Sequence, residues 1–191
     1  QTCTYGSKSA QTKVALIGNS HAGHWQPALA QIAKARDWQI TTYLVSECWT
    51  GDVPQIFEAP ADTQTCREWV RWAVDETAKG DFDLVVSSNR TWRKIRDVAE
   101  QDQVAHATRA YSEVLDTWVR AGKQVVVIRD VPNMTQNVPD CVEQEGKGLD
   151  ACLFPRTKVL PPDPFAKAGQ ADRSGNVDVL GVLTPGTHGS T

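Results

Sequence analysis

Four aliphatic residues in a row, Val14-Ala15-Leu16-Ile17, run straight into Gly18-Asn19-Ser20-His21, and this stretch limits the fold more than any other. An unbroken apolar run of that length suits a strand buried on both faces, as in a parallel sheet. Gly18 allows the backbone to turn where a Cβ would clash. Beyond it, from about Gly23 to Arg36, Trp25, Leu29, Ile32 and Ala33 recur at helical spacing, and Pro27 falls in the first turn, where proline is tolerated. Ser20 therefore stands at the end of a strand and the start of a helix. Free N–H groups and the positive end of the helix dipole there would stabilise an oxyanion beside a serine hydroxyl. In the other reading this is a plain strand-to-helix turn, and Ser20 only caps the helix.

The rest of the chain repeats the alternation. Gln39–Ser46 is rich in β-branched and aromatic residues and reads as a second strand, followed by the loop Cys48-Trp49-Thr50-Gly51-Asp52. Helical spacing over Asp62–Lys79 puts Trp69, Val70, Trp72 and Ala73 on one face, with Gly80 as a stop. Phe82–Ser87 is a third strand that ends in Ser88-Asn89-Arg90. Asp97–Ala121 is the longest predicted helix, with Tyr111, Val114, Leu115 and Trp118 on one face and Gly122 at C′. Gln124–Ile128 is a fourth strand, closed by Arg129-Asp130-Val131-Pro132. Residues 133–175 are proline-rich with little periodicity and read as a long ordered loop with short helical pieces; Val177–Leu180 is a candidate fifth strand.

This order predicts a doubly wound, three-layer α/β/α sandwich on a parallel sheet, with ligands bound outside the carboxyl ends of the strands. Ser20, the Cys48–Asp52 loop and Asn89 all fall at that edge. Residues 1–12 are polar and read as the end of a linker, and residues 13–191 as one domain, a size one hydrophobic core can support.

A net charge of −3 with scattered lysines and arginines gives no basic face, which argues against nucleic acid as a partner. No apolar run is long enough to span a bilayer, so any membrane anchor is expected outside these residues. Cys3, Cys48, Cys66, Cys141 and Cys152 are spaced too widely for paired C-x-x-C zinc ligation, and no metal or other cofactor is expected. That leaves disulfides or buried thiols. Cys141 and Cys152 bracket a loop of Glu, Gly, Lys and Asp that would gain much from a staple, each bridge contributing ~3 kcal/mol. Disulfides would place the chain in an oxidising compartment.

Gly18-Asn19-Ser20-His21, followed by Ala22-Gly23-His24, resembles the first block of the SGNH hydrolases, with Asn19 in place of the usual aspartate. The histidine after the serine resembles one branch: the extracytoplasmic SGNH domain fused to the C-terminus of membrane acyltransferase-3 proteins, which O-acetylate surface carbohydrates. The likeness runs from about Cys3 to Thr184. It implies a flavodoxin-like SGNH fold, an acetyl donor delivered by a membrane acyltransferase domain, and a carbohydrate acceptor. The order of the cysteines and the resemblance agree on Cys48–Cys66 and Cys141–Cys152, which leaves Cys3 without a partner.

Carried over residue by residue, the resemblance makes Ser20 the nucleophile. A backbone N–H near Gly51 and the side chain of Asn89 would be further oxyanion donors. The third block is kept only in its asparagine, since Ser87-Ser88-Asn89-Arg90 replaces Gly-x-Asn-Asp, and Asn89 also fits a simple strand-end turn. The Asp-x-x-His block expected near the C-terminus is absent: the late histidine is His188, and Pro185 stands three residues before it. His188 is the candidate base, without an orienting aspartate, and the expectation is of an incomplete C-terminal part and feeble activity. Trp25, Trp49, Trp92 and His24 are candidates for lining the substrate cleft, whereas Trp69, Trp72 and Trp118 fit the core. Three functions stay open: acetyl transfer to a sugar hydroxyl, acetyl-ester hydrolysis with the same serine, and a catalytically silent carbohydrate-binding module.

Overall fold

Six strands, β1 (Thr2–Gly6), β2 (Thr12–Gly18), β3 (Trp38–Leu44), β4 (Leu84–Ser88), β5 (Gln124–Ile128) and β6 (Val177–Leu180), form one sheet in the order β1-β3-β2-β4-β5-β6. The computed structural model describes residues 2–134, 136–145 and 152–181. Strands β2 to β6 are parallel, and β1 pairs antiparallel with β3, Cys3 lying opposite Thr42. The first residues are thus an edge strand rather than irregular linker, and the sheet is mixed. Residues 2–6 are mostly exposed, so no apolar alternation marks them; what holds them is pairing with β3.

The side chains of β2 divide the core in two. Ala15 and Ile17 point with Val85, Val125 and Val127 into a cluster covered by α3 (Pro60–Lys79), α4 (Gln103–Arg120) and α7 (Pro164–Ala171). Val14 and Leu16 join Ile40, Val86 and Ile128 on the other face, under Ala22 of α1 (Ser20–Gly23) and Leu29 and Ala33 of α2 (Gln26–Arg36). This is the expected three-layer α/β/α arrangement. The four aliphatic residues of β2 are wholly buried, and each of the larger ones contributes on the order of 1.5–3 kcal/mol.

Two helical faces differ from their sequence spacing. On α3, Val70 and Ala73 are buried but Trp72 is 44% exposed, leaning on Tyr43 at 5.7 Å between ring centroids. On α2, Ile32 is exposed while Leu29 and Ala33 face the sheet. Both apolar stripes are narrower than the spacing suggests, because only one helix edge meets the sheet. The longest predicted helix begins later, a 3₁₀ turn at Glu100–Asp102 leading into α4.

The proline-rich region carries α5 (Val138–Glu145), α6 (Arg156–Val159) and α7. Helix α7 is a core element. Asp163 caps it, accepting from the N–H groups of Phe165 and Ala166, Pro164 occupies its first turn, and Phe165 stacks on Tyr111 at 4.3 Å. Disulfides join Cys48 to Cys66 and Cys141 to Cys152, and Cys3 is a free, exposed thiol on β1. No helix among the described residues is long and apolar enough to cross a membrane.

Candidate functional site

Four neighbouring strand ends converge at one edge of the sheet, and each delivers polar residues. Gly18, at the end of β2, has φ +148°, and a Cβ on it would lie 2.2 Å from the carbonyl oxygen of Ser88. Only glycine lets β2 turn this close to β4. Asn19, not Ser20, then caps α1: its Oδ1 accepts from the His21 N–H at 3.1 Å. Ser20 is the first residue of the turn and is exposed, and its Oγ has no hydrogen-bond partner among the described residues. The cap reading therefore belongs to its neighbour, and the serine hydroxyl is free.

Asn19 does more than cap. Its Nδ2 donates to the Arg90 carbonyl at 3.0 Å, and its Oδ1 also accepts from the Arg90 N–H at 3.1 Å. One buried amide thus locks the β2 turn to the loop after β4. An aspartate could accept but not donate, which gives a physical reason for asparagine here.

Asn89 is buried and works in a similar way toward the loop after β3. Its Oδ1 accepts from the Thr50 N–H at 3.0 Å and the Thr50 hydroxyl at 3.1 Å, and its Nδ2 donates to Ser87 Oγ at 3.3 Å. An amide carries two N–H bonds, so one remains without an acceptor among the described residues. Gly51 is placed differently from its expected role. Its N–H donates to the Trp49 carbonyl at 2.8 Å, and a Cβ on it would lie 2.3 Å from the Trp49 ring. The glycine is there because the indole packs on its backbone, and its N–H is already engaged.

Trp49 is not a cleft residue. It is 0% exposed, packs on Tyr111 at 5.1 Å, and donates through Nε1 to the Arg93 carbonyl at 3.3 Å. Trp25 is half-buried against the α1 and α2 side of the core. Trp92 does reach solvent, 48% exposed, two residues beyond the Arg90 that Asn19 holds. The Arg93 guanidinium lies 4.4 Å from the Trp92 ring and 3.9 Å from that of Phe57, and it pairs with Glu47. These contacts tie the loops after β3 and β4 together. The first of them is held from behind by Asp52, which accepts from Arg67 at 2.8 Å and Arg71 at 2.6 Å, and by the Cys48–Cys66 bridge. Burial alone would raise the Asp52 pKa, but the hydrogen bonds from the two guanidiniums outweigh it and hold the carboxyl below the ordinary value.

Asp130 and Asp163 stand at the site without having been singled out in the sequence. His21 Nδ1 lies 2.5 Å from Asp130 Oδ1 at the end of β5, and the His24 ring lies 5.0 Å from that of His21. Asp163 Oδ2 accepts from the Asp130 N–H at 2.9 Å. A cleft of about 30 Å³, room for a water molecule or two, opens between Asn89, Thr91, Asp130 and Asp163. A usable signal did exist: Asp130 stands two residues beyond the fourth predicted strand, at the edge where ligands bind. His188 lies outside the described residues.

A three-layer α/β/α sandwich with an exposed serine at the turn after a central strand, and an asparagine after the neighbouring strand, is the arrangement of an SGNH-type domain. The chain belongs to the family of SGNH domains fused to AT3 domains, whose family model matches residues 1–181. Among solved structures, the fold is similar to the periplasmic domain of a lipopolysaccharide acetyltransferase from Salmonella serovar Paratyphi A. The TM-score is 0.64 with 14% identity, over 91% of this chain and 67% of that one. No match to a curated protein is found.

Proposed function

We propose that this domain takes part in O-acetyl transfer to an extracytoplasmic carbohydrate through an acetyl ester on Ser20. The observation that carries this reading is the free, exposed Ser20 hydroxyl at the first position of α1, at the sheet edge where Asn89 follows the neighbouring strand β4 with one amide N–H uncommitted. The Ser20 oxygen attacks the acetyl carbonyl, its proton goes to a base, and the donor's leaving group departs. A sugar hydroxyl then attacks the serine ester, forms the new C–O bond and returns the proton to Ser20. The Ser20 backbone N–H and Asn89 Nδ2 are the proposed oxyanion donors, and His188 is the proposed base.

Membership of a family fused to AT3 domains supports a membrane acyltransferase as the source of acetyl groups. Two disulfides support an oxidising, extracytoplasmic location. The exposed Trp92 offers a flat apolar face of the kind that stacks on a sugar. Esterase action uses the same serine with water as acceptor, and the solvent exposure of Ser20 favours keeping it as a second reading. The test is intact-mass measurement after incubation with p-nitrophenyl acetate, with and without an oligosaccharide acceptor. An acetyl adduct that maps to Ser20 and is absent in Ser20→Ala is expected. Acetylation that persists in that variant overturns the reading, and loss of the adduct to water alone decides for the esterase.

A further inference from the structure

The serine turn is too short to hold itself. Helix α1 has four residues, and the backbone bonds of its turn are few: the Ala22 and Gly23 N–H groups donate to the Asn19 carbonyl, the His24 N–H to the Ser20 carbonyl and the Trp25 N–H to the Ala22 carbonyl, at 3.0–3.2 Å. A single turn of that kind is unstable alone, because nucleating a helix fixes several residues for very few bonds. The buried Ala22 and the bond from Trp25 that leads into α2 hold its far end; its start, where Ser20 stands, depends on side chains, and both neighbours of Ser20 supply one. Asn19 is bonded twice to Arg90 at the end of β4, and His21 is bonded to Asp130 at the end of β5.

The geometry points to His21 and Asp130 as a positioning pair that fixes Ser20 for attack. The inference rests on Ser20 being the acyl-accepting group, as proposed above. The His21 side chain is 16% exposed and that of Asp130 22%, so water competes little for the bond. A carboxylate can only accept, which puts the imidazole proton on Nδ1 and fixes the ring's tautomer. Asp130 is itself held still. Its Oδ1 also accepts from the Val131 N–H at 2.8 Å, and its own N–H donates to Asp163, the residue that caps the core helix α7. The path from Ser20 through His21, Asp130 and Asp163 thus ends in the hydrophobic core at Phe165. Ser20 stands between two anchors, one on β4 and one on β5, while its own hydroxyl stays free.

The experiment compares wild type, His21→Ala, His21→Asn and Asp130→Asn, the asparagine at 21 placing an N–H donor near the Nδ1 position. Three quantities are read: the imidazole N–H region of the ¹H NMR spectrum, amide hydrogen exchange at Ala22, Gly23 and His24, and the kcat and KM for p-nitrophenyl acetate. Wild type is expected to show a strongly downfield Nδ1–H signal that is lost in His21→Ala and Asp130→Asn. In those two variants exchange should quicken and kcat fall roughly 10- to 100-fold at unchanged KM, while His21→Asn restores both to within about threefold. The proposal is overturned if the downfield signal is missing in wild type, if exchange is unchanged in His21→Ala, or if His21→Asn fails to restore it. Failure of the Ser20 reading looks different: turnover then survives Ser20→Ala, while the NMR and exchange results still decide whether the pair holds the turn.

Discussion

Asn19 and Arg90 are joined by two hydrogen bonds from one side chain, Nδ2 to the Arg90 carbonyl at 3.0 Å and the Arg90 N–H to Oδ1 at 3.1 Å, across 71 positions of sequence. An aspartate at this position would keep the cap on α1 and the bond from the Arg90 N–H, but would face the Arg90 carbonyl with a second oxygen. Asn19→Asp should therefore lower unfolding stability by about 1–3 kcal/mol, because the Arg90 carbonyl loses its donor in a largely buried place. Urea denaturation checks this, with a fall in midpoint at constant slope as the expected result.

Asn89 and Thr50 share one buried contact, yet only Asn89 is proposed to touch the reacting acyl group. Thr50→Val removes the hydroxyl and should cost stability while leaving Ser20 acetylation nearly intact. Asn89→Ala should slow acetylation by roughly 10²–10³-fold, the usual loss for an oxyanion donor. Equal losses of rate in the two variants would reduce Asn89 to a structural tie.

Acid should loosen the loop after β3. The Asp52 pKa lies below its unfolded value, so its bonds to Arg67 and Arg71 contribute stability that is present above the unfolded pKa, near 3.9, and is lost as pH falls through the folded one. Asp52→Asn should destabilise the domain at neutral pH and weaken the dependence of its stability on pH below about 4. Thermal melts of both proteins across the acid range provide the check.

Removing the Cys48–Cys66 bridge by Cys48→Ala with Cys66→Ala should cost about 3 kcal/mol, as expected for closing a loop of this size. Fluorescence should change as well, since the bridge lies next to the fully buried Trp49. The Cys141–Cys152 pair closes a shorter loop, with a sequence separation of 11 against 18, and its removal should cost slightly less.

Much of the architecture was readable in the chain, and the exceptions have physical causes. Gln124–Ile128 and Val177–Leu180 are strands at the expected residues, the first because Val125–Ile128 is an apolar run, the second because its two valines alternate with outward-facing residues. Thr2–Gly6 gave no such signal, since an edge strand facing solvent needs no apolar alternation. Trp72 has helical spacing but stands where α3 turns from the sheet, and periodicity alone does not locate the edge of a helical stripe. Helix α7 was masked by neighbouring prolines, although Pro164 in its first turn is compatible with a helix.

At the site, sequence by itself determined where the chain would turn. An apolar strand that must end at a glycine leaves the next polar residues at the sheet edge, whatever the rest of the chain does. Only the tertiary structure decided what each of those residues does there. Asn19, not Ser20, became the cap because its amide also meets Arg90; Gly51 spent its N–H on Trp49 because the indole packs on it; and Trp49 left the cleft for the core. His21 found Asp130 across 109 positions. Local patterns describe which face of an element is apolar, but partners so far apart are chosen by strand order, and strand order is a property of the folded sheet.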